Sequence, residues 1–183
     1  MSAHICDMND GTVLASTGIM NPQIRFGEDL MSRVSYGIMN EGGAAEMTKA
    51  VCEGLQQLIA GGAEQAGCTT DDVLEVVLVG NPVMHHLLLG IDPVELGGAP
   101  FALAVDTAME IKADDIKLSL NKGSRIYILP CIAGHVGADA AGVVLAEAPQ
   151  DGSDVQLLID VGTNAEIVLG NKDRLLAASS PTC

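Results

Sequence analysis

Apolar residues recur along the chain with two different periods, which separate predicted strands from predicted helices. Residues 3–17 hold two short apolar runs joined at Asn9-Asp10-Gly11, and an Asp-Gly pair in that position predicts a β-hairpin. Residues 73–79 form a nearly continuous apolar run, typical of a strand covered on both faces. Residues 155–178 predict a second hairpin followed by a further strand.

The helical period is clearest over residues 44–66, where one stripe of the predicted helix is apolar. We expect Gly61-Gly62 to weaken the end of this helix and Gly67 to close it. The stripe consists of Met47, Val51, Leu55, Leu58 and Ile59.

A strand, a turn and a helix follow one another twice. After the first strand, Asn81 is expected to cap a helix that begins with Pro82, because the missing proline N–H would be unpaired there anyway. The second unit occupies residues 125–148. The small residues of its helix, 138–148, permit close approach to a sheet.

The other segments carry weaker signals. Helical spacing of Leu30, Val34 and Ile38 predicts a short helix. Residues 90–124 predict a long connection with one or two strands, and "PQDGSD" at 149–154 is the best candidate for a boundary between two lobes.

The order of these elements predicts an α/β fold with a mixed sheet and helices on its faces. Composition agrees, because apolar residues make up 48% of the chain while aromatic residues make up only 2%. The core must therefore be aliphatic, which suits α/β layers better than a β-sandwich.

Acidic residues dominate the charge, with 24 Asp and Glu against 9 Lys and Arg and a net charge of −15. A field of this sign repels nucleic acids and anionic membranes, so neither is an expected partner. The same field opposes a free nucleotide. Any phosphate bound here needs local hydrogen-bond donors or a cation.

Two further features concern location and cysteine chemistry. The sequence has no apolar run of about 18–20 residues and no basic-then-apolar leader, so we expect a cytoplasmic location. The five cysteines include no C-x-x-C pair. We therefore expect ordinary thiols rather than disulfides or ligands of zinc or an iron–sulfur cluster.

The stretch "LLIDVGTNAEIVLG", residues 157–170, carries the most specific candidate chemistry. Asp160 ends an apolar strand, where side chains point into a crevice. The N–H groups of Gly162, Thr163 and Asn164 can form an anion-binding nest, and a Mg²⁺ ion or a water would separate Asp160 from a phosphate. A plain hairpin turn is the alternative, and the spacing leaves both open.

Two other turns contain candidate residues. His85 and His86 point about 100° apart on a helix, so they do not comfortably ligate one metal. A helix-capping or buried, hydrogen-bonded position is one expectation for His86. Asp139 follows His135 in a glycine-rich turn, and we expect it either to position a water or to support its helix N-terminus.

Five segments together resemble one protein family. In chain order they are "NPQIRFGEDLMSRVSY", "VGNPVMHHLLLGIDP", "APF", "LPCIAGHVGAD" and "LLIDVGTNAEIVLGNKDRLLAASSPT". They are similar to the C-terminal ATPase region of the reductive activators of corrinoid proteins, in the sugar-kinase, heat-shock-70 and actin superfamily. The resemblance covers residues 5–182.

This resemblance implies an actin-like ATPase core, an RNase H-like lobe with flanking helices, joined to an N-terminal [2Fe–2S] domain in a homodimer. Such proteins use ATP and Mg²⁺ to reduce the cob(II)alamin of a corrinoid partner protein to cob(I)alamin for methyl transfer. It implies that Asp160 faces Mg²⁺ or water and that His86 faces the cleft or the corrinoid partner. The implied cofactor-binding positions in the hairpin are Gly162, Thr163, Asn164 and Glu166.

Several parts expected of this family do not appear in the sequence. These are a first phosphate hairpin before residue 3, a second lobe after Cys183 and a ferredoxin cysteine pattern. We therefore expect a fragment without ATP turnover of its own, in which residues 1–150 form an incomplete first lobe and residues 151–183 begin a second. Ala165 replaces an expected glycine and would cost about 1 kcal/mol if that position needs positive φ.

Two other functions stay open on the sequence. One is a small-molecule kinase of the same superfamily. The other is a non-catalytic actin-like scaffold or binding module with a vestigial nucleotide site.

Overall fold

The computed structural model describes residues 1–162 and 164–181 of the chain. Its strands are β1 (Ser2–Cys6), β2 (Val13–Gly18), β3 (Glu75–Leu78), β4 (Met109–Lys112), β5 (Arg125–Ile128), β6 (Gln156–Val161), β7 (Asn164–Asn171) and β8 (Arg174–Pro181). Its α-helices are α1 (Leu30–Met39), α2 (Gly43–Ala66), α3 (Pro82–Leu88) and α4 (Ala138–Glu147). Short 3₁₀ turns occur at Pro22–Phe26, Thr70–Asp72, Val94–Gly97, Ala113–Ile116 and Pro149–Asp151.

The predicted α/β fold is confirmed. The described strands do not form one continuous sheet, however, but three separate sheets. β1 and β2 form the predicted hairpin. In the second sheet, β5 lies between β3, to which it is parallel, and β4, to which it is antiparallel. β6, β7 and β8 form an antiparallel sheet in chain order.

Helix α2 runs beneath the first two sheets. The helix continues through Gly61 and Gly62 and ends at Gly67, whose φ is 75°. A Cβ atom added at Gly62 would lie 3.0 Å from Ile5 Cγ1 on the hairpin. Gly61 and Gly62 therefore do not end the helix, and Gly62 permits close packing of the hairpin on it; the expected weakening of the helix end stays a prediction.

The two larger apolar clusters of the core share α2, and a smaller third cluster lies at the turn between β5 and α4. One lies between α2 and the sheet β3–β5–β4, and its buried members include Ile126 and Ile128. The other joins α2 to α1 and α3, with Met47 completely buried. Ile38 lies outside it and is 63% exposed, so the apolar stripe predicted for α1 does not extend to its last turn.

The strand β3 is covered on one face. Val76 and Leu78 pack on the core, whereas Val77 and Val79 are 56% and 54% exposed. The prediction of burial on both faces was wrong, because an apolar run does not report how much of the opposite face its neighbours cover. α4 approaches this face at Gly142, where an added Cβ would lie 3.3 Å from Val79. Within the described residues, no helix is long and apolar enough to cross a membrane.

Candidate functional site

The candidate phosphate-binding stretch forms a tight hairpin between β6 and β7. Asp160 pairs directly with Glu166 across the two strands, so the two carboxylates project from the same face. At the turn, the Gly162 N–H donates to the carbonyl oxygen of Asn164 over 2.8 Å. Thr163, predicted to contact phosphate, lies outside the described residues. The structure thus places Asp160, Gly162, Asn164 and Glu166 together.

The backbone of this hairpin is regular on both sides of the turn. Ala165 pairs with Val161 and does not have positive φ, so the energetic penalty expected for this residue does not arise. Among the described residues, the nearest atom to a Cβ built at Gly162 is the Asn164 carbonyl oxygen, at 3.8 Å. The face of Gly162 is therefore accessible to an approaching ligand.

Helix α4 packs against β6 and β7 and adds a third carboxylate. Asp139 lies in its first turn, and its Oδ1 atom accepts a hydrogen bond of 2.9 Å from the Ala140 N–H. Burial raises the pKa of Asp139, and the charge of Asp160 raises it further. Asp139 thus bonds to the backbone of its own helix N-terminus, and the effect of the Asp160 charge makes it part of the same site. The expected support of the helix through its dipole stays a prediction.

Glu166 experiences the same surroundings. Burial is the main cause that raises the pKa of Glu166, and the charges of Asp139 and Asp160 add to it. The Ser179 hydroxyl donates to Glu166 Oε1 over 3.3 Å, which partly offsets the rise. Asp139, Asp160 and Glu166, here named the carboxylate cluster, therefore repel one another across three elements.

The carboxylate cluster fits a Mg²⁺ ion that it shares with phosphate oxygens. Within the described residues, no three His, Cys, Asp or Glu side chains are arranged to hold a metal by themselves. Mg²⁺ is typically bound by one or two carboxylates together with waters and substrate phosphates. A cation at this position would relieve the mutual repulsion that raises the pKa values of Asp139 and Glu166.

The position of Asp139 is fixed by the contact between two turns. β3 and β5 are parallel, so the turns at their carboxyl ends are neighbours. The Ala138 N–H donates to the Gly80 carbonyl over 2.9 Å. A Cβ atom at Gly137 would lie 2.7 Å from Asn81 Cα, so only glycine fits between these turns. In the sequence, this contact could have been inferred from Gly137, which stands two residues before Asp139 in the turn after β5.

The start of α3 follows the sequence prediction, whereas His86 does not lie in a cleft. Asn81 caps the helix by accepting the Met84 N–H over 2.9 Å, and Pro82 takes the first position. His86 is only 1% exposed, with Nδ1 2.8 Å from the Pro82 carbonyl oxygen and Nε2 accepting the Ala104 N–H over 3.0 Å. Its assignment as a cofactor-binding residue is therefore corrected to the buried, hydrogen-bonded alternative.

His135 also lies away from the contacts of the carboxylate cluster. Its ring meets the ring of Phe101 edge-on, with the two centroids 4.5 Å apart. Phe101 belongs to the segment that follows Gly98 and covers the turn between β5 and α4. His135 thus takes part in the support of this turn.

A gap of about 380 Å³ separates β1 from β3 and opens beside Asp139. Met1 and Ser2 line one side of the gap, residues 77–80 line the other, and apolar side chains of α2 form its floor. His85 also lines it and is 3% exposed. Neither ring nitrogen of His85 has a hydrogen-bond partner within the described residues, and burial, with the neighbouring His86, lowers its pKa.

The described cysteines are free, and none of them is a member of the carboxylate cluster. They are Cys6, Cys52, Cys68 and Cys131. Burial raises the pKa of the Cys131 thiol to about 11, which leaves it protonated and unreactive near neutral pH. Cys52 lines a larger cavity, of about 1,000 Å³, along the first half of α2, and burial also raises its pKa. This cavity holds no comparable group of mutually perturbed carboxylates among the described residues.

The fold is a mixed α/β lobe of the actin-like class, with a hairpin packed on helix α4. A family model described as the RACo middle region matches residues 1–150, and one described as the C-terminal domain of RACo, the ASKHA domain, matches residues 154–183. The chain therefore belongs to the RACo family, the reductive activators of corrinoid proteins.

Two relatives agree with this assignment. The chain is 34% identical over 177 residues to the corrinoid activation enzyme RamQ of Eubacterium limosum, covering 97% of this chain and 30% of that enzyme. A solved structure titled "Reductive activator for corrinoid,iron-sulfur protein" superposes with a TM-score of 0.94 at 33% identity, covering 98% of this chain and 29% of that one. The chain thus spans about 30% of the length of these relatives.

Proposed function

We propose that this chain forms part of the Mg·ATP site of an ATP-dependent reductive activator of corrinoid proteins. The convergence of Asp139, Asp160 and Glu166 beside an open hairpin turn carries the proposal. Asp160 contacts Mg²⁺ or one of its waters, and Asp139 orients the attacking water. The N–H groups at Thr163 and Asn164 bind the terminal phosphates, and Gly162, whose own N–H is bonded to the Asn164 carbonyl oxygen, lets them approach the backbone closely.

In the whole protein, ATP binding and hydrolysis drive the reduction of cob(II)alamin to cob(I)alamin on a corrinoid partner protein of a methyl-transfer system. The names of the two relatives, a corrinoid activation enzyme and a reductive activator, support this role. The dispersed free cysteines among the described residues do not fit a [2Fe–2S] cluster. We therefore assign the cluster to another part of a protein of the relatives' length, and we propose that this protein is a homodimer.

We also propose that an extended segment of that longer protein fills the gap between β1 and β3. Both strands have an unpaired edge there in the described sheets, and their separation leaves room beside the apolar floor of α2. A strand in this gap would join the two sheets and give the buried His85 a backbone hydrogen-bond partner. If parallel to β3, it would end beside Asp139 and bring a second phosphate-binding turn to the carboxylate cluster.

The direct test is Mg·ATP binding and turnover by the full-length protein carrying Asp160→Asn. This change keeps the size of the side chain and removes its charge, so we expect Mg²⁺-dependent turnover to fall at least about 100-fold. Asp154→Asn alters an exposed carboxylate outside the cluster and serves as the matched control. Equal turnover by both variants would reject the proposed role of Asp160.

A further inference from the structure

We infer that His86 is a positioning residue that locks the segment 98–107 onto the turn leading to Asp139. The partners of its two ring nitrogens define how it does so. The Pro82 carbonyl can only accept a hydrogen bond, so Nδ1 carries the proton. Nε2 is therefore the unprotonated nitrogen, and it accepts the N–H of Ala104, which lies 18 residues further along the chain.

The bond from Ala104 holds a segment that has little other polar support. Across the residues that the structure describes, it is the only hydrogen bond made by residues 102–108. Leu103, the neighbouring residue, packs against both the α1–α2–α3 cluster and a smaller cluster formed by Leu129, Cys131 and Ala138. One nitrogen of a buried histidine thus fixes the point where the segment crosses between two parts of the core.

The same segment presses on the turn between β5 and α4. Phe101 has φ 58°, and the backbone of Phe101 occupies the space that a side chain at Gly134 would need. Its ring also meets the ring of His135. On its other side, the turn contacts the start of α3 through Gly137 and Asn81.

Helix α3 therefore holds the turn from both sides, directly at its first residues and through Ala104 and Phe101 at His86. Asp139 lies two residues beyond Gly137, so the position of this turn determines the position of Asp139. The inference depends on the proposed function only for the use made of Asp139. The position of the turn can be measured without a nucleotide.

Two polar, non-titrating substitutions separate the two bonds of His86. In His86→Gln the amide oxygen reaches the position of Nε2 and can still accept the Ala104 N–H. In His86→Asn the shorter amide can donate to the Pro82 carbonyl but does not reach Ala104. Hydrogen–deuterium exchange of the full-length protein then reports on the segment and the turn separately from the rest of the fold.

We expect His86→Asn to raise exchange at least about tenfold at the Ala104 amide and in peptides covering 132–139, with α2 unchanged, and His86→Gln to stay within about threefold of the wild type. Equal exchange in the two variants, or a rise that includes α2, overturns the inference. If His86→Asn does not fold, exchange at residues 132–139 is measured in Phe101→Ala instead, because this change removes the ring contact between the segment and His135. Unchanged exchange at 132–139 in that variant overturns the inference. Localised exchange in a protein that fails to bind ATP would reject only the proposed function.

Discussion

Asp139 at the start of α4 lies within the electrostatic reach of Asp160 on β6: burial raises the pKa of Asp139, and the charge of Asp160 raises it further. The two residues belong to different units of the chain, a strand–turn–helix unit and a hairpin, that meet where α4 packs on β6 and β7. Glu166 faces both. A protein with a net charge of −15 therefore concentrates three of its 24 acidic side chains beside a turn that offers backbone N–H groups. A cation accompanying a polyphosphate resolves this conflict.

The first prediction concerns stability in the absence of Mg²⁺. Because the pKa of Asp139 is raised in the folded protein, its ionisation near pH 7 disfavours the folded state. Asp139→Asn keeps an acceptor for the Ala140 N–H and removes the charge. We expect it to raise the free energy of unfolding at pH 7 by up to about 1 kcal/mol, seen as a rise of a few degrees in Tm.

The pH dependence of this effect has a definite sign. As the pH falls through the raised pKa toward the ordinary value of about 4, the wild-type carboxyl becomes neutral and the advantage of Asp139→Asn disappears. Asp72 provides the opposite control, because hydrogen bonds from Thr69 lower its pKa and Asp72→Asn should destabilise the protein at pH 7. A lower Tm for Asp139→Asn at pH 7 would contradict the mutual repulsion.

The second prediction concerns the contact between the two turns. In Gly137→Ala the new methyl group would meet Asn81 Cα and the Gly80 carbonyl oxygen, both at 2.7 Å, and Asp139 Oδ1 at 2.5 Å. Backbone atoms cannot move aside cheaply, so we expect a loss of about 1–3 kcal/mol and weaker Mg·ATP binding. Gly98→Ala is the control, since no described atom lies within 4 Å of its added Cβ. Similar Tm values for both variants would show that the turns are not closely packed.

The third prediction addresses the gap beside β3. If a strand of the full-length protein occupies this gap and bonds to the buried His85, then His85→Leu leaves a backbone group unpaired. We expect a loss of about 1–3 kcal/mol, measured by thermal unfolding. His4→Leu, in an exposed position on β1, should change stability by less than about 0.5 kcal/mol. A full-length protein stabilised by His85→Leu would indicate that the imidazole remains without a partner.

Local patterns in the sequence were enough to predict most elements. The Asp-Gly pair placed the first hairpin, the apolar stripe placed α2, Gly67 marked its end, and Asn81 marked the start of α3. Each of these signals depends on residues within a few positions of one another. Two features could not be predicted in this way: the division of the strands into separate sheets and the exposed face of β3. Both depend on which distant parts of the chain pack against the strands, and the local pattern of apolar residues carries no information on this.

The site shows the same division. Asp139, Asp160 and Glu166 could each be selected from their turns or strand, but their convergence requires α4 to lie across β6 and β7. His86 could not be placed from its helix, because its position is explained by Ala104, which is distant in sequence. Gly137 was the local signal that the turns after β3 and β5 meet. Its role could be recognised only from the structure, in which Gly80 and Asn81 lie against it.

The most direct measurement is a structure of the full-length protein with Mg²⁺ and a non-hydrolysable ATP analogue. The account predicts the metal, or a water bound to it, against Asp160, with the terminal phosphates at the backbone of residues 162–164 and Asp139 facing them. A triphosphate bound elsewhere, with Asp160 and the hairpin turned toward bulk solvent, would contradict it.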